Sequence, residues 1–240
     1  AGVGAAIRER QGEKLLPWTN GQRSPDLVIE AENWLAILAA TLRNLFKPQS
    51  LVVVAVLLTY GIHQSLNDTT NSLFAIRQLG WTQSEFASFA AISNVVAGIF
   101  CITFGGWAVD RFGAKRISFW SGIVAVPAMG WYLIDTTLWN DDRLFILWYA
   151  FKSIPYFLFY LANLVLAMRV TAQEVAATSF ALFMAISTIG FTIAATILPF
   201  LEDFGGYQAM FGASTALILV AGLMTIFLKA NLTVLPADSA

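Results

Sequence analysis

The feature that most constrains this chain is a succession of apolar runs, most near 20 residues or longer, separated by short polar breaks. A helix needs about 20 apolar residues to cross the hydrocarbon core of a bilayer. The runs therefore read as six transmembrane helices at about 48–79, 83–107, 117–134, 144–168, 175–201 and 207–229. A soluble domain of 240 residues would expose far more charge than the 12% found here, beside 58% hydrophobic residues and a mean hydropathy of +0.67. The fold class is all-α membrane protein. A net charge of −1 with no arginine-rich segment argues against a nucleic-acid partner. Cys101 is the one cysteine, so no disulfide forms within the chain. The start at Ala1 shows no signal-peptide pattern, and the missing initiator methionine points to a fragment or processed chain.

Residues 1–47 are expected to form a cytoplasmic linker, polar and mixed in charge over its first 32 residues, with turn signals at Pro17, Asn20–Gly21 and Ser24–Pro25. Within it, Trp34, Leu35, Leu38, Leu42, Leu45 and Phe46 recur at helical spacing, with Arg43 and Lys47 at the end. That pattern predicts an amphipathic helix over about 33–46 lying on the membrane surface, with a helical extension of the first span or a helix packed on a soluble loop as the alternatives. Residues 48–229 form the bundle, and 230–240 a cytoplasmic tail. Thr82 with Glu85 three residues on, and Thr171 with Glu174, are capping-box patterns at the starts of the second and fifth spans. Pro155 predicts a kink in the fourth span. Arg43, Lys47, Arg111, Lys115, Arg116, Arg169 and Lys229 fall on one set of connections, while only Arg77 and Arg143 flank the other, where Asp135, Asp141, Asp142, Glu202 and Asp203 gather. The positive-inside bias then places both termini in the cytoplasm.

An ionisable side chain at membrane depth costs at least about 2.5–3.5 kcal/mol on insertion scales, so its position calls for a reason. Tyr60, His63, Gln64, Asn67, Asp68 and Asn71 lie on the first span at offsets of 0, 3, 4, 7, 8 and 11, one face of a helix. Trp148, Lys152, Tyr156, Phe159 and Asn163 repeat the pattern on the fourth. Stripes this polar face protein or water, and they predict a substrate cavity. Asp68 lies about 7 Å outside the midplane at 1.5 Å per residue, and Lys152, on a span running the other way, lies at similar depth. The two charges are expected to meet or to share one cavity. They can also be a purely structural ion pair, and His63 can be a helix-contact histidine rather than a proton relay. Ser93 and Asn94 offer weaker candidates for the same cavity. The Ser/Thr row from Thr178 to Thr192 reads as helix packing.

No Gly-x-Ser-x-Gly elbow, no His/Cys cluster and no Walker-type glycine loop occurs, so the sequence offers no enzyme site, no metal site and no cofactor.

The stretch Gly106-x-x-x-Asp110-Arg111-x-Gly113-x-Lys115-Arg116, between the second and third spans, resembles the signature of the major facilitator superfamily. The placed glycines and aspartate go beyond what an ordinary positive-inside turn needs. The resemblance implies one six-helix half of a twelve-helix fold, here the carboxyl-terminal half. It further implies a partner: the missing amino-terminal half or a second copy of this chain. It makes Gly106 a site of close helix approach and gives Asp110 and Arg111 charge contacts at a cytoplasmic gate. In that family helices one, four, seven and ten line the cavity, and by this numbering seven and ten are the two spans carrying the polar stripes. The stretch Leu66–Asn67–Asp68–Thr69 with Leu79–Gly80–Trp81–Thr82 and Glu85 is similar to the muropeptide permease and acetyl-coenzyme A transporter branch. The expected function is secondary active transport of a small organic solute, coupled to protons, in a bacterial inner membrane. Asp68, Lys152 and His63 are the coupling candidates; Tyr60, Gln64, Asn67, Asn71, Trp148, Tyr156, Phe159 and Asn163 would line the cavity. The alternatives are a non-transporting receptor on the same fold and a six-helix channel or interaction subunit.

Overall fold

The computed structural model describes residues 34–171 and 176–229. The expected leader, the capping box that needs Glu174, and the tail at 230–240 lie outside the described residues. The chain divides into two compact units at Ala40. Of the first, residues 34–40 are described, and they are helical. The second unit, from Thr41 onward, holds the bundle.

Every described element is a helix or helical turn. α1 (Trp34–Leu45) crosses the unit boundary; past it, Thr41 and Asn44 are buried while Leu42 and Phe46 are exposed. The Asn44 amide donates to the Val170 carbonyl at 3.3 Å, tying this turn to the end of the fourth long helix. α2 (Pro48–Arg77) starts with proline at its first position, where the missing N–H costs nothing. α3 (Gln83–Phe100) begins with the expected capping box: the Thr82 hydroxyl accepts from the Glu85 amide, and the Glu85 carboxylate accepts from the Thr82 amide at 2.7 Å. A π-helical turn (Cys101–Gly105) carries α3 into α4 (Gly106–Phe112). α5 (Ala114–Ile134), a 3₁₀ turn (Thr136–Asn140) and α6 (Asp142–Val170) follow. α6 runs through Pro155 without interruption of its helical assignment.

α7 (Ala176–Met224) covers two expected spans in one element of 49 residues. At 1.5 Å per residue that is about 74 Å, against a hydrocarbon core of about 30 Å, so it cannot be one crossing. The break is at Gly205 and Gly206, and Gly206 has φ 56°, a left-handed conformation that favours glycine. Two limbs, 176–204 and 207–224, therefore stand where the fifth and sixth spans were expected. Five helical segments, α7 counted once, are long and apolar enough to cross a membrane among the described residues. With α7 read as two limbs, the chain is the expected six-helix, all-α membrane bundle.

Small residues let the helices approach closely. A Cβ on Gly61 of α2 would fall on the backbone carbonyl of Ser187, and one on Gly190 would lie 2.7 Å from the Leu58 carbonyl oxygen. Gly122 of α5 meets Gly222 of the second α7 limb in the same way, at 2.8 Å. Without a hydrophobic driving force between helices in lipid, such contacts hold a bundle by van der Waals packing. The Ser/Thr row is mixed. Ser179 is buried, but Thr188 is exposed among the described residues and bonds back to Met184 of its own helix.

The basic turn is shorter than expected. Residues 106–112 are helical, and the one break is Gly113 at φ 87°. The third span therefore starts at Ala114 rather than Ile117.

Candidate substrate cavity

α2, α3 and α6 enclose a cavity of about 350 Å³, to which α5 adds Met129. α2 contributes Gln64, Asn67 and Asp68; α6 contributes Tyr149, Lys152, Ser153, Tyr156 and Phe157; α3 contributes Phe86, Ala90 and Asn94. Both intramembrane charges thus line one space.

They do not touch. Lys152 is 3% exposed and donates to the Asn67 side-chain oxygen at 3.1 Å and to the Asn71 side-chain oxygen. Its ammonium also sits 3.5 Å from the centre of the Trp148 ring, a desolvated cation–π contact. An ammonium has only donors, so the Asn67 oxygen must face it, which turns the Asn67 amide nitrogen outward. That nitrogen donates to Asp68 Oδ1 at 3.1 Å. Asn67 is therefore the joint between the charges. The one ion pair among the described residues is elsewhere, Arg77 with Glu202 at 2.7 Å near the α2 and first-limb ends. The Lys152 charge thus has polar and aromatic partners but no carboxylate partner among them. Asn71, with its oxygen on Lys152, leaves its buried amide nitrogen without a partner among the described residues.

The other expected residues divide. Gln64 and Tyr156 face the cavity, but Tyr60, Asn71, Trp148, Phe159 and Asn163 do not line it. Tyr60 is enclosed by aromatic rings, with Tyr156, Phe159 and Tyr160 at centroid distances of 5.7, 5.5 and 5.6 Å. The Trp148 indole donates to the Met129 carbonyl at 3.0 Å and forms the bed for Lys152 rather than a surface for cargo. Phe159 is fully buried in the core. Asn163 accepts from Ser118 at 3.1 Å and donates to the Phe159 carbonyl at 2.7 Å, joining α6 to α5. His63 turns away as well. Its Nδ1 lies 2.8 Å from the Ser214 carbonyl, which can only accept, so Nδ1 carries the proton; the hydroxyl of Ser214 lies 2.9 Å away. Nε2 is buried with no partner among the described residues. In this arrangement His63 is a contact between α2 and the second limb of α7.

The reason for the mixture on α6 is geometric. Steps of four residues, from Trp148 to Lys152 to Tyr156, advance about 40° around the helix each time, because 3.6 residues make a turn. The cavity face is the set Tyr149, Lys152, Ser153, Tyr156 and Phe157, which mixes steps of three and four. The expected stripe also mixed both steps but started from Trp148, and so passed over Tyr149 and Ser153, each one residue further along. Phe86 and Ala90 carry no comparable signal, being apolar residues of an apolar helix.

At the basic turn, Lys115 donates to the carbonyl of Ile226 at 2.9 Å and to that of Leu228, capping the end of the last helix. Gly113 makes the turn. The side chains of Asp110, Arg111 and Arg116 are exposed and make no hydrogen bond or ion pair with any described residue. The expected close approach at Gly106 is also absent within the described bundle, where a Cβ would meet nothing within 4 Å. The packing role falls one residue earlier. A Cβ on Gly105 would lie 3.0 Å from Leu161 and 3.1 Å from Leu158 of α6.

A family model described as Major Facilitator Superfamily matches residues 36–238, most of the chain. No curated protein and no solved structure matches it.

Proposed function

The chain belongs to the Major Facilitator Superfamily, a family of transporters, and we propose that it moves a small organic solute by alternating access, coupled to protons. Residues 48–229 act as the carboxyl-terminal half of a twelve-helix machine, with both chain ends in the cytoplasm of a bacterial cell. The cargo is of the kind handled by the muropeptide permease branch: a ring-bearing solute with an anionic group. The observation that carries this proposal is the Lys152–Asn67–Asp68 series in one cavity wall. A buried ammonium with no carboxylate partner among the described residues favours an anion brought by the cargo. Tyr156, Tyr149 and Phe157 supply faces for its ring.

Asp68 carries the coupled proton. It is exposed toward the cavity, where it can be reached, and its carboxylate is held by the Asn67 amide. Protonation removes the charge that holds the Asn67 amide nitrogen. Asn67 then turns more easily, and its oxygen releases Lys152 to the cargo. Binding of proton and anion thus favour each other. His63 holds α2 against the second limb of α7 and transfers no proton.

Uptake of anionic amino-sugar derivatives into liposomes carrying the full-length protein tests this. Accumulation should follow an inward proton gradient and collapse with a proton ionophore. Substituting Asp68→Asn should leave exchange of bound solute but abolish gradient-driven accumulation. Binding without any uptake would favour the receptor reading, and uptake indifferent to the gradient would remove the coupling.

A further inference from the structure

The last turn of α1, residues 41–45, belongs with the bundle and lies against the end of α6 and the first limb of α7. The Asn44 amide donates to the Val170 carbonyl, one of the last carbonyls of α6, which have no partner within their own helix. Leu45 adds an apolar contact with the core cluster that holds Val170 and Phe183. Against these contacts stand three polar atoms. The Thr41 hydroxyl, the Asn44 side-chain oxygen and the Ser179 hydroxyl all belong to residues lining one narrow space. Each residue is at most 3% exposed, and none of the three atoms has a hydrogen-bond partner among the described residues. The space, walled otherwise by Leu45, Leu182 and Phe183, is too narrow for a water molecule.

A buried polar group without a partner raises the free energy of the packed state, and it recovers that cost on reaching water. Three such groups in one contact bias the turn toward release. The chain can also pivot beside it. Phe46 and Lys47 are outside both helices, and Lys47 is extended at φ −64° and ψ 142°, the conformation favoured before a proline such as Pro48.

We propose that residues 41–45 are a releasable strap across the ends of α6 and of the first α7 limb. Docked, the strap ties the two helices together through Asn44, Leu45 and Ser179. Released, it exposes its polar atoms to water and frees the end of α6, the helix that carries Tyr149, Lys152 and Tyr156 of the cavity wall. Local opening of this kind belongs to segments with few apolar contacts. The consequence for transport rests on the transport reading above; docking and release do not.

Hydrogen exchange of the full-length protein in detergent tests the strap, read on the backbone amides of residues 41–45 and of the last turn of α6. Uptake is measured on the same preparations in liposomes. T41V/S179A replaces two unpartnered hydroxyls by apolar groups of similar shape. It should tighten the strap, slowing exchange at both places by about fivefold or more and lowering the uptake rate. Asn44→Asp removes the donor to Val170 and sets a carboxylate against that carbonyl. Exchange at both places should quicken by about tenfold or more, and the uptake rate should rise. T188V, which removes a hydroxyl from an exposed position of the same limb, should leave both measurements unchanged. Faster exchange in T41V/S179A would mean that the hydroxyls are satisfied, by each other or by a bound water or ion, and that the turn is a fixed joint. Changes of the same sign in T41V/S179A and Asn44→Asp, or changes confined to residues 41–45, would also overturn the strap. Uptake that ignores the exchange shifts would overturn its part in transport. An unmodified protein that takes up no solute would sink the transport reading alone, since the exchange rates still decide the strap.

Discussion

Lys152 and Lys115 solve the same difficulty, a cation among helices, by different means. Lys152, inside α6, is buried against another helix and ends on two amide oxygens and an aromatic face. Lys115, at the start of α5, reaches the terminal carbonyls of the last helix, where the helix dipole already favours a positive charge. One is held by side chains that can rotate, the other by backbone that cannot. A cation held by rotatable amides can exchange them for a ligand; a cation held by fixed carbonyls joins two elements. The difference separates a site from a fastener. The exposed Asp110 and Arg111 beside Lys115 are neither within the described residues.

The largest effect expected is from Lys152→Met. It leaves the side-chain oxygens of Asn67 and Asn71 without their donor, at about 1–3 kcal/mol for a buried group left unsatisfied. Loss of a charge-assisted contact to the cargo anion lowers its affinity by about ten- to hundredfold. Melting and cargo binding, measured on one preparation, separate the two losses. An unchanged cargo affinity would place Lys152 with Lys115 as a fastener. Asn67→Asp comes next. It sets a carboxylate against Lys152 and a like charge beside Asp68, so the ammonium gains a fixed counter-ion inside the wall. Folding should survive while uptake falls by about tenfold or more, because the cargo must now compete with a built-in anion. Uptake at the original level would show that the amide joint has no role in transport.

The cavity was legible to the degree that polarity in an apolar helix is rare. Gln64, Asn67, Asp68, Lys152 and Tyr156 stand out because each is expensive in lipid, and all five line the cavity. The same reasoning could not tell a residue facing the cavity from one satisfied by a neighbouring helix. His63 is satisfied by Ser214 and Asn163 by Ser118, and neither partner is visible from a single helix pattern. Direct pairing of Asp68 with Lys152 looked natural by depth, yet a helix offers nearer amides on the same face, and Asn67 intervenes. The spans were legible from length and hydropathy. Their ends were less so, because Gly106 reads as a break while its backbone stays helical and, of the two glycines, it is Gly113 that takes a left-handed φ.

Lys115→Gln should have a smaller and purely structural effect. A neutral amide still donates but gives up the charge–dipole term, worth about 0.3–1 kcal/mol at a helix C-terminus. The melting temperature falls slightly and cargo affinity does not change. A change in affinity would mean that the fastener also reports on the cavity, and the contrast with Lys152 would fail.

The smallest effect belongs to Asp135, at the opposite end of α5 from Lys115. Its carboxylate accepts from the Thr137 amide at 2.9 Å and from the Thr137 hydroxyl at 2.6 Å, and these two bonds hold its pKa below the ordinary carboxylate value. A carboxyl group whose pKa is lower in the folded state stabilises the fold above its ordinary pKa, and that contribution is lost as pH falls through the folded value. Asp135 is exposed, so solvent screens much of the gain. Comparing melting temperatures of the protein and of Asp135→Asn over the acid range isolates the contribution: the two curves should differ most near neutrality and converge as the carboxyl protonates. Like Lys115, Asp135 holds the end of a helix rather than a ligand, so cargo binding by the variant should match the unmodified protein at every pH. A shift in the pH dependence of binding would instead link this loop to the cavity, and end-of-helix charges could no longer be set apart from those in the wall.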